Sequence, residues 1–137
     1  MGKIVGVFAL AVILAGCGNR SDDNILVIGD RFFVQQVHDI FLNTSQFLGW
    51  TIQYEGIFRI IHWSHGDDFH VVMRYTISCC GEVPIGFFIL LPDSLSLFPP
   101  DHAWVKLTGV LEEYNDFLVI RATSLIEMEE RGSDFVH

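Results

Sequence analysis

The sequence predicts a mainly β domain, a small five-stranded Greek-key barrel with one helix on its N-terminal side. Three observations predict it. Apolar and polar residues alternate with a period of two through several segments. The first of these carries a glycine, Gly56, near its centre. Glycine, proline, asparagine, aspartate and serine cluster between the segments, as turns require. A plain antiparallel β-sandwich is the alternative that the same pattern allows.

Ile25 to Ile28 is a short apolar run stopped by Gly29-Asp30. Asp30 is placed to cap a helix from Arg31 to about Asn43, with Phe33, Val37, Ile40 and Phe41 on one face. Gln46 to Gly49 turns the chain into the first strand. There Ile52, Tyr54, Gly56, Phe58 and Ile60 alternate with Thr51, Gln53, Glu55 and Arg59. Gly56 predicts a bulge or sharp bend, as small barrels use. Ser64-His65-Gly66-Asp67-Asp68 is turn chemistry. The second strand sets Phe69, Val71, Met73, Tyr75, Ile77 and Cys79 against His70, Val72, Arg74, Thr76, Ser78 and Cys80, and the more apolar first row is expected to face inward. Ile85 to Leu91 is the third strand, and Pro92 to Asp101 is a proline-rich loop. Trp104 to Leu111 and Phe117 to Met128 are the last two strands, joined at Tyr114-Asn115-Asp116. In the last, Leu118, Ile120, Ala122, Ser124, Ile126 and Met128 form the expected inner row. Five strands with a long, glycine-bent first one are the pattern of an OB-like barrel. Such barrels often bind ligands across their second and third strands, although fold alone does not confer function.

The chain of 137 residues carries a net charge of −9 and only two lysines, Lys3 and Lys106. A nucleic-acid surface needs clustered Lys and Arg, so that class of partner is not expected. Hydrophobic residues make up 50% of the chain, enough for a packed core.

The N-terminus reads as an address. Lys3 gives a positive start, and Ile4 to Ala15 is almost wholly apolar. Twelve helical residues rise only about 18 Å, short of a hydrocarbon core of about 30 Å. The pattern is a secretory signal rather than a membrane span. It ends in Leu14-Ala15-Gly16-Cys17, which closely resembles the bacterial lipobox. That resemblance implies a signal peptide over 1–16, a diacylglycerol on Cys17, and a lipidated cysteine and tether over 17–24. The OB-like β domain is then expected over 25–128, with a polar tail over 129–137. Gly18 after the cysteine implies the outer membrane in a two-membrane cell, and the outer face of the plasma membrane otherwise.

Further motifs carry a second resemblance. Phe69-His70-Val71-Val72-Met73-Arg74-Tyr75-Thr76-Ile77-Ser78-Cys79-Cys80, then Pro84-Ile85-Gly86, then Trp104-Val105-Lys106-Leu107-Thr108-Gly109, resemble the C-terminal domain of the YcgQ-like family of permease subunits. The resemblance spans roughly Ile25 to Met128. It implies an OB-like domain and a multi-span permease as partner. Two differences stand out: a lipobox where members carry membrane-spanning helices, and Gly81-Glu82-Val83 after the double cysteine.

Candidate chemistry lies in the cysteines and histidines. Neighbouring cysteines rarely bond to each other, so Cys79 and Cys80 are expected as free thiols or in an intermolecular bridge. With Glu82, and His102 from across the barrel, they form a candidate metal set suited to Zn²⁺. The competing reading is packing: Cys79 as a small buried hydrophobe, Cys80 under a loop. His62, His65 and His70, with Asp67 and Asp68, form a second candidate ligand-binding group or simply a polar, pH-sensitive loop. Trp50, Trp63 and Trp104 offer either a stacking platform or core and rim packing. No Ser–His–Asp arrangement or paired-carboxylate pattern stands out. The expected function is a lipid-anchored, non-catalytic accessory or binding module of the cell envelope, associated with a permease or a metal ion. A thiol-dependent envelope enzyme and a purely structural lipoprotein are the alternatives.

Overall fold

The computed structural model describes residues 24–95 and 97–137. The signal segment, Cys17 and nearly all of the tether lie outside the described residues. The alternating segments become β2 (Thr51–Ile61), β3 (Phe69–Ser78), β4 (Gly81–Leu90), β5 (Trp104–Tyr114) and β6 (Phe117–Glu127). A short β1 (Ile25–Val27) precedes them and pairs parallel to the start of β2. Pairing runs β2-β3-β4-β6-β5 and returns to β2, with β4 and β6 parallel and the other neighbours antiparallel. The fold is therefore mainly β and OB-like, as expected.

The closure depends on one strand serving two partners. Residues Thr51 to Ile57 of β2 face β5, while Ile57 to Ile61 face β3. Gly56 sits at this exchange, where a Cβ would lie 2.9 Å from the Met73 carbonyl oxygen. Only a residue without a side chain lets the strands approach so closely. Inside, Ile52, Tyr54, Phe58, Val72, Phe87, Val105, Leu107, Leu111 and Ile120 are fully buried. The Tyr54 hydroxyl donates to the Val72 carbonyl at 2.6 Å and accepts from the Phe87 N–H at 3.2 Å. Burial pushes that phenol well above its ordinary range, and the Phe87 N–H offsets part of the rise.

The helical region differs from the expected single capped helix. A 3₁₀ turn (Asp30–Phe32) leads into α1 (Phe33–Leu42), followed by α2 (Thr44–Phe47). Phe33, Val37 and Ile40 are buried as their spacing predicts, so α1 closes one end of the barrel core. Asp30 does not cap α1. Its carboxylate is taken by Arg74 of β3.

Two expected inner rows are corrected. In β3 the inward row is Val72 and Arg74, while Phe69 and Ile77 of the opposite row are exposed. In β6 the inner row holds through Ile120 and Ala122. A register shift at Thr108/Gly109 then opposes Thr108 to Ser124 and Gly109 to Ala122. The extra residue, Thr123, reverses the alternation. Leu125 packs against the core instead, and Ile126 is exposed.

Arg74 is the one buried charged residue among those described, at 1% exposure. Besides Asp30, it donates from Nε to the Ser133 carbonyl at 3.0 Å. Its guanidinium carbon lies 5.3 Å from the Phe33 ring centroid and 5.1 Å from that of Trp104. The polar C-terminal segment is thereby docked. Phe135 bridges to Tyr75, and Val136 is buried in the core.

Two substitutions test these constraints. Gly56→Val is expected to cost about 1–3 kcal/mol through overpacking against backbone, read as a lower midpoint in urea. Arg74→Met is expected to cost about 1–3 kcal/mol, since Asp30 can return to water while the Ser133 carbonyl loses its donor. It should also speed tryptic cleavage after Arg131. Wild-type protection of that bond would show that Arg74 does not hold the tail.

Candidate functional site

The outer face of β3 and β4 carries the most distinctive surface. Phe69, Phe88 and Phe117 project from β3, β4 and β6, and Trp63 joins them from the β2–β3 loop. The rings meet edge to face in a chain. Trp63 and Phe69 are 6.0 Å apart, Phe69 and Phe88 6.0 Å, and Phe88 and Phe117 6.3 Å. Such geometry is favourable between rings. It also leaves large faces in solvent: Trp63 is 61% exposed and Phe117 60%.

Beside the strip lies a shallow apolar groove of about 190 Å³, lined by Ile61, Val71, Met73, Pro84, Ile85, Gly86 and Phe88. Gly86 lets β4 lie against the Val72 backbone, where a Cβ would collide. β4 meets β6 only over Phe88 to Leu90. Pro84, which has no N–H to donate, therefore interrupts no β4–β6 pairing. Acidic residues bracket the strip in sequence. Asp67 and Asp68 precede Phe69, and Asp116 precedes Phe117 in a turn where Asn115 and Asp116 both have positive φ, 48° and 66°. Those angles are the signature of a two-residue type I′ hairpin.

The histidines serve different parts of this region. His62 Nδ1 lies 2.8 Å from Asp68 Oδ1 and ties the ends of the β2–β3 loop together. His65 is exposed near the loop tip. His70 instead stacks on Phe58 at 5.7 Å and lies 5.5 Å from Phe98 of the β4–β5 loop. The three do not converge. Of the tryptophans, Trp104 is buried, Trp50 packs edge-on against Phe47 at 5.0 Å, and Trp63 belongs to the strip.

The four-residue metal set is not assembled. Cys79 and Cys80 form the exposed tip of the β3–β4 hairpin, with Glu82 just after it on β4. His102 lies elsewhere. Its backbone N–H donates to the Phe58 carbonyl, and its Nδ1 is 3.4 Å from Asp101 Oδ2. Phe58 pairs with Val72, seven residues along the strand from Cys79, or about 23 Å of β rise. Among the described residues no three His, Cys, Asp or Glu side chains gather into a metal-holding group. The cysteines are solvent-exposed rather than packed.

A family model described as the DUF1980 C-terminal domain matches residues 16–136. The chain belongs to the DUF1980 C-terminal domain family. Comparison with curated proteins gives no match. Among solved structures, this DUF1980 domain is similar to the second OB-fold domain of replication protein A from Methanococcus maripaludis. The identity is 11%, over 64% of this chain and 90% of that one, with a TM-score of 0.30. The OB-like assignment rests on the strand pairing rather than on that likeness.

The sequence pattern does not single out Phe69, Phe88 and Phe117 as exposed surface residues. A signal was present at two of them: Phe69 and Phe117 each open a strand directly after turn residues, whereas Phe88 lies within β4. It was hidden by the assumption that the more apolar row of β3 faces inward.

Burial between two phenyl rings holds the His70 imidazole below its ordinary range, and the Asp68 carboxylate offsets part of that shift. The unfolded chain therefore binds this proton more readily than the DUF1980 domain does. The stability contributed by neutral His70 is full above the unfolded imidazole value of about 6.5 and is lost as pH falls through it. Thermal midpoints are expected to hold steady from pH 8 to 7 and fall between pH 6.5 and 5.5. His70→Phe should remove that step, and a step that persists in this variant would assign it to another group.

Proposed function

We propose that this DUF1980 domain is a non-catalytic accessory module of the bacterial cell envelope. In this reading a diacylglycerol on Cys17 holds it to a membrane. Its aromatic strip docks an apolar segment, flanked by basic residues, of a membrane-resident partner. A multi-span permease is the partner that the family resemblance favours.

The observation that carries the reading is the exposed Trp63–Phe69–Phe88–Phe117 strip beside an apolar groove. Contiguous exposed apolar surface rimmed by polar residues marks an interaction site more often than an accident of packing. The net charge of −9 favours a basic flank on the partner and opposes nucleic acid. The lipobox supports the anchor. The seven residues Gly18 to Asn24 span at most about 25 Å when extended, which keeps the domain close to the bilayer. A partner within that bilayer meets the strip at high effective concentration.

A photo-crosslinking residue placed at Phe88 in the full-length chain tests the reading in cells. The expected product is a covalent adduct with a multi-span membrane protein. Phe69→Asp or Phe117→Asp should reduce its yield at least tenfold, and a probe at Asp39 should not form it. Cys17→Ala should abolish palmitate incorporation and release the chain from membranes. Strip variants that crosslink like the parent would overturn the docking face. Unchanged palmitate labelling in Cys17→Ala would overturn the anchor.

A further inference from the structure

The tip of the β3–β4 hairpin lies outside the aromatic face and carries chemistry of its own. Ser78 and Gly81 close the ladder, and Cys79-Cys80 form the turn between them. Neither cysteine has a positive φ. Gly81, at φ +118°, takes the conformation that side chains avoid. The turn is thus not one of the primed two-residue types; it needs the glycine that follows it. Ser78 fixes its shape, with Oγ accepting from the Cys80 N–H at 3.3 Å and donating to the Gly81 carbonyl at 3.2 Å.

This backbone brings the two sulfur atoms to 3.4 Å from each other, on a surface open to solvent. Strand alternation would have sent them to opposite sides. The turn removes that alternation, and two soft donors converge. Among the described residues no third His, Cys, Asp or Glu completes a metal-holding group with them. A structural zinc site takes four protein ligands, so this tip cannot close around zinc on its own. A soft cation satisfied by two or three thiolates fits what is present.

We propose that Cys79 and Cys80 form an open two-thiolate site for a soft, low-coordinate cation, with cuprous ion as its type. With metal–sulfur bonds of about 2.3 Å, sulfurs 3.4 Å apart subtend about 95° at the metal, so the two exposed side chains open to about 4.0 Å to give the roughly 120° of a three-coordinate ion. The bond angle is bent and the opposite side is free. An incoming thiolate enters there, so the site captures its ion and yields it by ligand exchange rather than storing it. Binding is balanced as one cuprous ion taken up, two metal–sulfur bonds formed, and two protons released from the thiols to solvent. No electron is transferred. The site does not depend on the aromatic strip having a partner.

The test uses the reduced full-length chain in detergent, without oxygen and with Cys17→Ala so that no third thiol contributes. Cuprous ion is titrated against a chromophoric chelator. The expected result is one ion per chain and protection of two thiols from alkylation, with affinity falling at least 100-fold in either Cys79→Ser or Cys80→Ser. Both positions are exposed, and an unchanged thermal midpoint in the metal-free variants confirms that folding is intact. An excess of Zn²⁺ should not displace the ion. Retention of one tightly bound cuprous ion by the double serine variant overturns the proposal. So does preferential Zn²⁺ binding. So does conversion of the pair to a bond between the two sulfurs, seen as a loss of two hydrogens by mass with no metal uptake by the reduced form.

Discussion

The guanidinium of Arg74 lies inside the protein at 1% exposure, whereas its carboxylate partner Asp30 is 70% exposed. Taking an arginine from water is costly unless every face of it is met. Here Asp30 arrives from the link between β1 and the helices, and the Ser133 carbonyl from the C-terminal segment. The rings of Phe33 and Trp104 cover the remaining faces from α1 and β5. These contacts join regions far apart in the chain at a single group. They lie beside the point where β2 leaves β5 for β3. Arginine suits this role better than lysine, because its planar fork serves two acceptors while its faces stack on aromatic rings.

With that end of the barrel sealed by α1 and the C-terminal segment, the opposite surface of β3 and β4 is relieved of structural duty. Val71 and Met73 are nearly covered by their neighbours, while the rings of Phe69, Phe88 and Phe117 remain partly in solvent. The strip is therefore not an excess of core residues left over from packing. It sits on a sheet whose inner face is already filled by Val72, Phe87 and Ile89. Rigid aromatic side chains on a rigid sheet lose little conformational freedom on meeting a partner.

Strand positions were legible in the sequence because period-two alternation is a local property. β2, β3, β5 and β6 begin where the pattern places them. The direction each row faces was less legible. In β3 the outer row Phe69, Val71, Met73 is more apolar than the inner row His70, Val72, Arg74, so hydrophobicity alone points the wrong way. In β6 the inner row changes at Thr123 because of a register shift set by the partner strand. Asp30 has the chemistry of a helix cap, yet an arginine 44 residues later competes for it and wins. β1 is three residues long, too short to show any period. At the candidate sites the sequence marked Cys79 and Cys80. It did not show that a turn would bring both sulfurs to the same side, because that depends on Gly81 and on the bonds of Ser78.

The brevity of the β4–β6 pairing has a consequence for how copies of this domain meet. On the side away from β3, only Phe88 to Leu90 of β4 engage a neighbour among the described residues. The preceding stretch, Gly81 to Phe87, is an open border of the kind to which another extended chain can add. Pro84 withholds a donor midway along it, and Glu82 places a negative charge near its start. Two such borders brought together would repel and leave gaps in their ladder. The same proline that helps shape the groove thus guards against fibrillar self-association.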